Sequence, residues 1–365
     1  MIGRIRRALA LYREVHRRWQ RYRLARPAGS SVHQGALETA MLEGIYELTA
    51  ARYGLTTRRL GQVLSIESGT RRFRVRGEWS EFDTIPVGMI CGDKVLVRDL
   101  LQAQGLLVPE GAAFPTTAAR QAWDFARTLP GTSVVKPARD TSGARGVTVD
   151  VRDERTFRRA FRVAAILSNE ILIERFIPGD NYRVLVYKGR CISIVLRELP
   201  AVTGDGRSSV AELVRAENAR RISTEAWRAG DPLVMPFKWG TDLVDTLRKQ
   251  GLTPTGVPAS GQRVILSQIC NLRLGATGLE YPQLHPEIVR ASERAADLIG
   301  VTLAGVDVIV PDGTRPEYWI NEVNTTPGMH GHYAVRNPES MGDPIGKIVA
   351  DVFGLEYVPW VPPVR

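Results

Sequence analysis

The chain has 365 residues, 44% of them hydrophobic and 24% charged, a composition that suits a folded protein with two or three lobes and substantial cores. No apolar run is long enough to span a bilayer and no signal-peptide pattern appears, so a cytoplasmic location is expected. Cys91, Cys191 and Cys270 are too few, too scattered and odd in number for a disulfide framework or a zinc site. The formal charge of +10 is uneven: residues 1–26 hold nine Arg and one Glu, which is +8 of it. The remainder carries little excess charge, and no nucleic-acid partner is expected.

Residues 1–30 read as a basic amphipathic helix. Ile2, Ile5, Leu9, Tyr12, Val15, Trp19 and Tyr22 recur at steps of three and four, with arginines on the other faces, before Pro27 and Gly29 break the pattern. Two readings stand. The apolar stripe docks on its own protein or on a sister subunit of a homodimer, or the basic faces meet an anionic membrane surface or an acidic partner.

A helix is expected over 33–53 through Leu37, Met41, Ile45 and Leu48, with short strands at Leu60–Ile66 and Arg72–Val75. Helices follow over about 94–104 and Thr116–Thr128. Ser133–Pro137, the loop Ala138–Gly146 and Val147–Val149 then read as strand, small-residue loop and strand. Gly143 and Gly146 let backbone approach a ligand, successive N–H groups there form an anion nest, and Lys136 at the strand's end adds a point charge for phosphate. The lysine precedes the glycines, so this is not the P-loop pattern.

An arginine-rich helix spans Glu154 to about Leu167, and an apolar strand from Glu170 runs to Ile177 before Pro178-Gly179. That strand suits a hinge carrying an adenine slot. Strands Tyr182–Tyr187 and Cys191–Arg197, a turn at Gly204–Arg207 and a helix from Ser209 come next. Pro232, Pro236, Pro254 and Pro258 interrupt 221–260, where no clear element is read. The helix Pro286–Ile299 leads into the strand Leu303–Ile309, followed by Trp319–Asn324. These last two apolar strands deliver Asp307, Glu322 and Asn324 to one spot. An acid in such a run is costly to bury unless paired or bound to a cation, and three oxygen side chains suit Mg²⁺, with Mn²⁺ as a substitute. For Asp307 alone, a strand-end cap would be the plainer reading.

Lys94, Lys136, the Ser142–Gly146 loop, Glu174 to Ile177, Asp307, Glu322 and Asn324 occur in the order and approximate spacing of the ATP-grasp ligases. The resemblance runs from about Cys91 to Met341. It looks closest to the cyanophycin synthetase and glutathione-forming branch, through Pro178–Arg183, Gly204–Ser209 and Asn271–Gly275. Asn324–Met329 is also similar to the D-alanine–D-alanine ligases. The resemblance implies an α+β ATP-grasp fold: a basic N-terminal helix (1–30), a reduced preceding lobe (31–90), an ATP-grasp domain of two lobes clasping ATP (91–350) and a tail (351–365).

By the same resemblance, Lys94 and Lys136 hold the α/β-phosphates, and Ser142, Gly143 and Gly146 belong to the loop over the triphosphate. Glu174, Arg175, Phe176 and Ile177 take adenine. The family's ribose acid falls near Asn181, so Asp180 is the candidate for it. Asp307, Glu322 and Asn324 bridge Mg²⁺ to phosphate. Arg183, Arg197 and Arg273 are candidates for a substrate carboxylate or an oxyanion, with an ordinary salt bridge as the alternative for each. Gly305 stands where the D-alanine ligases carry an Arg, so that role must move elsewhere. His330 and His332 lie just past the metal strand, where lining the acceptor site is one reading and a surface loop the plainer one for both. The implied reaction is ADP-forming amide ligation of small amino-acid or peptide substrates through an acylphosphate. A ligase acting on a peptide or carrier protein and an ATP-grasp phosphotransferase are the alternatives.

Overall fold

The computed structural model describes residues 31–139, 141, 143–221, 236, 237, 239, 241–281, 283–333, 335–337 and 342–359. The expected basic helix over 1–30, and with it the docking alternatives, lies outside the described residues. The architecture is α+β. Contacts divide the chain into two compact units. One holds residues 31–37, Gly92–Leu96 and Pro109–Phe176; the other holds Glu38–Cys91, Val97–Val108 and Ile177 onward.

After the helix Ser31–Arg52 comes an antiparallel sheet in chain order: β1 (Thr56–Leu60), β2 (Val63–Ser68), β3 (Arg71–Arg76) and β4 (Trp79–Ser80). Leu60 pairs with Val63, Ser68 with Arg71 and Arg76 with Trp79, so every connection is a two-residue turn. Such turns need a left-handed residue, and Gly61, Gly69 and Gly77 supply φ of 61°, 57° and 56°. The single strand expected over Leu60–Ile66 is therefore split, because Gly61-Gln62 reverses the chain. Alternation along β2 and β3 puts Leu64, Ile66, Phe73 and Val75 in one core with Leu42 and Tyr46 of the preceding helix and Ile345, Ile348 and Phe353 of the helix Pro344–Phe353.

The unit containing Pro109–Phe176 is built on β5 (Gly111–Pro115), β6 (Ser133–Pro137), β7 (Thr148–Val151) and β8 (Glu170–Arg175), antiparallel throughout in the order β5-β8-β6-β7. Helices Ala119–Ala126 and Glu154–Leu167 pack on one face, where Val135, Val151, Ile171 and Ile173 meet Ala122, Phe157, Phe161 and Ala164. The second helix has its expected bounds and begins at an N-cap: Asp153 accepts from the Thr156 backbone N–H at 2.9 Å. The helix expected over Thr116–Thr128 is shorter, because Thr116 N–H bonds the Asn169 carbonyl beside the β5–β8 pair.

The remaining strands are β9 (Asp180–Tyr187), β10 (Arg190–Glu198), β11 (Ala201–Thr203), β12 (Arg263–Ile265), β13 (Thr277–Glu280), β14 (Leu303–Val310) and β15 (Trp319–Asn324). Five of them form the main sheet of the second unit, in the order β13-β10-β9-β14-β15. One face is apolar: Val184, Val186, Ile194, Ala304, Val306, Val308 and Val323 pack on Ile288, Ala295 and Ile299 of the helix Pro286–Ile299 and on Val97 and Leu101. On the other face Leu185, Tyr187 and Leu303 join the core under the small sheet. Further along, that face becomes polar.

β11 and β12 pair with each other, and with helices Val210–Arg221 and Thr241–Lys249 they enclose a separate core of Val202, Val214, Leu243, Leu247 and Val264. The Gly204–Ser209 motif is structural there. Asp205 accepts from the N–H groups of Arg207 (2.8 Å) and Ser208 (2.7 Å), and Ser209 with Glu212 forms a capping box. Within 221–260, the helix Thr241–Lys249 was hidden from sequence reading by the prolines around it. No helix among the described residues is long and apolar enough to cross a membrane.

Phe157 is fully buried, with its ring 5.2 Å from Trp123 and 5.8 Å from Phe161 between ring centres. Phe157→Ala should lower the unfolding free energy by about 3–5 kcal/mol, read by urea denaturation. A loss under about 1 kcal/mol would show that this core rests on other contacts.

Candidate functional site

In the unit around β6 and β8, the period of two separates packing from chemistry. Val135, Ile171 and Ile173 face the helices, while Lys136, Leu172 and Glu174 emerge on the opposite face. Lys136 Nζ lies 2.6 Å from Glu174 Oε2, and both side chains are buried. The partnership fixes the ammonium at the strand's end, because a buried charge without a counter-charge is costly. Gly111 on β5 leaves room for this: a Cβ there would stand 2.7 Å from Glu174 Cγ. The loop after β6 turns through Gly143 (φ 67°), Ala144 (φ 59°) and Gly146 (φ 75°), and a Cβ at Gly146 would press on Pro137 and Leu167.

Lys94 Nζ donates to the Thr141 carbonyl at 3.0 Å, and its own N–H bonds the Ala138 carbonyl. Lys94 and Lys136 thus both meet this loop or its strand. At the end of β8 the N–H groups of Arg175 and Phe176 bond the Glu110 and Thr132 carbonyls. Ser142 lies outside the described residues.

In the second unit, register builds the polar half of the main sheet. Asp307 pairs with Arg183 on β9 and with Glu322 on β15, and Gly305 pairs with Asn324. Residues opposite each other on antiparallel strands share a face, so Arg183, Asp307 and Glu322 form a row, with Asn324 two residues along. Arg183 grips Asp307 with two bonds, Nε to Oδ1 at 2.5 Å and Nη2 to Oδ2 at 3.0 Å. Arg197 Nη1 reaches the same Oδ1 at 3.1 Å. A Cβ at Gly305 would collide with the Arg183 guanidinium, so the missing side chain makes that guanidinium's place.

Burial opposes ionisation of Asp307, yet the two guanidiniums outweigh it and hold the carboxyl below its ordinary pKa. Arg183 is disfavoured by burial but more strongly favoured by Asp307, and its pKa rises. Arg197 is pushed down, first by burial and then by Arg183. Both arginines remain charged. Asn324 Nδ2 donates to the Gly305 carbonyl at 3.2 Å, which leaves its side-chain oxygen as an acceptor. Two carboxylates and an amide oxygen are hard donors that fit Mg²⁺ when phosphate or water completes the shell.

The other expected residues are placed less evenly. Asn181 shares the face of Arg183, and Asp180 alternates to the other side and is exposed. Ile177 is buried. Arg273 belongs to the short 3₁₀ turn Leu272–Leu274, and its side chain lies outside the described residues.

His330 and His332 depart from expectation. They sit in the 3₁₀ turn Met329–His332 with 4% and 1% exposure, where a surface loop was expected. Met329 and Tyr333, both part of an apolar core, pull the turn inward and carry the histidines with it. His332 Nδ1 lies 2.6 Å from Ser193 Oγ, and Ser193 Oγ lies 2.9 Å from Glu280 Oε1. Burial lifts the Glu280 carboxyl to about 7. Ser193 and Glu280 were not read as site residues. Glu280 had the same signal as Asp307, an acid within a strand, but no neighbouring motif drew attention to it.

No family model matches the chain. It is 30% identical to the cyanophycin synthetase of a Nostoc species over 248 residues, covering 66% of this chain and 27% of the relative. It is 32% identical over 267 residues to the bifunctional glutathione biosynthesis protein of Enterococcus faecalis, covering 68% and 34%. Its fold matches a bifunctional glutathione synthetase from Pasteurella multocida with a TM-score of 0.58 at 24% identity, over 85% of this chain and 43% of that one. The chain belongs to the ATP-grasp superfamily. It spans about a third of the length of the curated relatives it matches. Strands β14 and β15 carry Asp307, Glu322 and Asn324.

The raised Glu280 pKa has a consequence for stability with a definite sign. The folded ATP-grasp chain holds a proton on Glu280 that the unfolded chain releases from its ordinary 4.5. That contribution is fully present below pH 4.5 and is lost as pH rises through about 7. Urea denaturation across this range should therefore show wild type losing stability relative to Glu280→Gln. Parallel pH dependence of the two proteins would mean that Glu280 titrates as an ordinary glutamate.

Proposed function

We propose that the chain is an ATP-dependent, ADP-forming ligase that joins a carboxylate to an amine. The observation that carries this reading is the in-register row of Arg183, Asp307 and Glu322, with Asn324 and Arg197 beside it, in an ATP-grasp chain. A carboxylate is a poor acyl donor because its oxide does not leave. Transfer of the ATP γ-phosphoryl to that oxygen makes an acylphosphate, and attack of an amine then expels phosphate. Phosphoryl transfer depends chiefly on positioning and neutralisation of charge.

Each residue has a role in this reading. Lys94 and Lys136 hold the α/β-phosphates, Lys136 being positioned by Glu174. The Ser142–Gly146 loop covers the triphosphate with backbone N–H groups. Glu174 to Ile177 take adenine, and Asn181 or Asp180 takes ribose. Asp307, Glu322 and Asn324 would hold Mg²⁺, and the ion would supply neutralisation of phosphate charge. Arg183 and Arg197 bring two positive charges to one carboxylate. Guanidinium N–H groups suit a substrate carboxylate, the acylphosphate or the tetrahedral oxyanion. Arg273 is assigned to the same substrate. The substrates are amino acids or short peptides, and the site of action is the cytoplasm, where ATP is supplied.

A panel of amino acids and dipeptides incubated with ATP and Mg²⁺ should give ADP and an amide in equal amounts. Glu322→Ala and Asn324→Ala should lower kcat by about 100-fold or more with the fold retained, since loss of one oxygen ligand disturbs in-line geometry. Lys136→Ala should chiefly weaken ATP binding. Release of AMP and pyrophosphate would overturn the acylphosphate route, and a stable phosphorylated product with no amine consumed would make the chain a phosphotransferase. Near-normal ligation by Glu322→Ala would move the metal site elsewhere.

A further inference from the structure

Amide formation from an acylphosphate requires a step that the metal and phosphate residues do not perform. The attacking amine arrives as an ammonium ion, and it has no lone pair until a proton is removed. We propose, building on the ligase reading above, that His332 removes this proton through Nε2, and that Ser193 and Glu280 set its tautomer and carry the proton onward.

The geometry supports a base whose free end is defined. Nδ1 is committed to Ser193 at 2.6 Å, whereas Nε2 is buried without a hydrogen-bond partner among the described residues. A buried polar atom left unsatisfied is uncommon and calls for a ligand. The charges bearing on the ring are those of the proposed site: Arg183, Arg197 and Asp307, with His330 from its own turn. Burial, followed by repulsion from Arg183 and Arg197, holds the imidazole pKa well below its ordinary value, so the ring stays neutral and keeps a lone pair. Glu280 faces Ser193 and the Ile194 and Gly342 N–H groups, with Lys347 of the following helix as the nearby cation.

Hydroxyl chemistry couples the three groups. Ser193 has one hydrogen. With Glu280 ionised, that hydrogen goes to the carboxylate, so the hydroxyl oxygen must accept from His332 Nδ1–H, and Nε2 carries the lone pair. With Glu280 protonated the chain reverses: Glu280 donates to Ser193, Ser193 donates to Nδ1, and Nε2 bears the hydrogen. The basic form of His332 is thus selected by ionisation of Glu280, whose carboxyl titrates at about 7.

The step balances. An N–H bond of the ammonium breaks and Nε2–H forms, while the Nδ1 proton moves to Ser193 Oγ and the Ser193 proton moves to Glu280. The imidazole ends neutral, the hydroxyl unchanged and Glu280 protonated. The freed lone pair forms the C–N bond, the C–O electron pair leaves with phosphate, and the second N–H proton goes to that phosphate. In this scheme His332 is the catalytic residue and Ser193 and Glu280 are positioning residues.

Two measurements test the relay independently. The first is ¹⁵N NMR of the full chain labelled on its five histidines, with His332→Asn assigning the signal. His332 should remain neutral and change from the Nε2–H to the Nδ1–H tautomer as pH rises through about 7. Ser193→Ala or Glu280→Gln should abolish that change. Titration of His332 to an imidazolium near its ordinary pKa, or a tautomer indifferent to both substitutions, would overturn the relay.

The second uses the carboxylate and amine that yield ADP with wild type. His332→Asn should slow amide formation by about 100-fold or more with an amino-acid acceptor. Hydroxylamine, already neutral at pH 7, should restore hydroxamate formation to within about 10-fold of wild type, because its attack needs no base. Equal losses with both acceptors would remove His332 from proton transfer. Absence of ADP from wild type with every substrate pair would overturn the ligase reading itself, and the tautomer result would still judge the relay.

Discussion

The polar half of the main sheet depends on one buried ion pair. Arg183 holds both oxygens of Asp307, and Arg197 adds a third contact to the same carboxylate. Removing water from three charged groups is expensive, and their mutual attraction recovers the cost only with good geometry. Deleting one member of such a cluster leaves an uncompensated buried charge, a penalty of about 3–5 kcal/mol. The neighbours conform to this requirement. Gly305 gives up its side chain to admit the guanidinium, and Glu322 stands directly across from Asp307. Glu322 also acts on both guanidiniums, so Arg183 and Arg197 are matched charge for charge by Asp307 and Glu322.

The same two-residue alternation governs both units. On β8, Ile171 and Ile173 join the core while Leu172 and Glu174 face the other way. On β14, Val306 and Val308 pack under the helix Pro286–Ile299 while Asp307, between them, enters the polar face. Each strand therefore places core and polar side chains at adjacent positions, and a register slip of one residue would exchange the two. This explains why acids and cations recur within runs that otherwise look fit only for burial.

Much of this arrangement was legible in the sequence. Helices Glu154–Leu167 and Pro286–Ile299 have the bounds that their periodicity and end residues imply, because Asp153 caps one and Pro286 and Gly300 bound the other. Asp307, Glu322 and Asn324 were readable as a group, since acids inside apolar runs need partners. Their arginine partners were visible only as separate candidates. The Arg183–Asp307 contact spans 124 residues, and local pattern holds no information about pairing at that distance. Short elements were also missed. β11, β12 and β13 have three or four residues each, too few for alternation to register. His332 was misplaced because polarity suggested a surface, whereas the apolar Met329 and Tyr333 on either side determined its depth.

That separation of 124 residues also sets a clock on the ribosome. At about 5–20 residues per second, Asp307 is made about 6–25 s after Arg183. β9 can zip onto β10 at once, but its other edge awaits β14. Throughout that interval the hairpin offers an open strand edge, an apolar surface including Val184, Val186 and Ile194, and a guanidinium without its carboxylate. Such a nascent hairpin is prone to aggregate and is a natural client for chaperones. The charged side chain at its middle helps to keep the exposed edge soluble until the chain that neutralises it emerges.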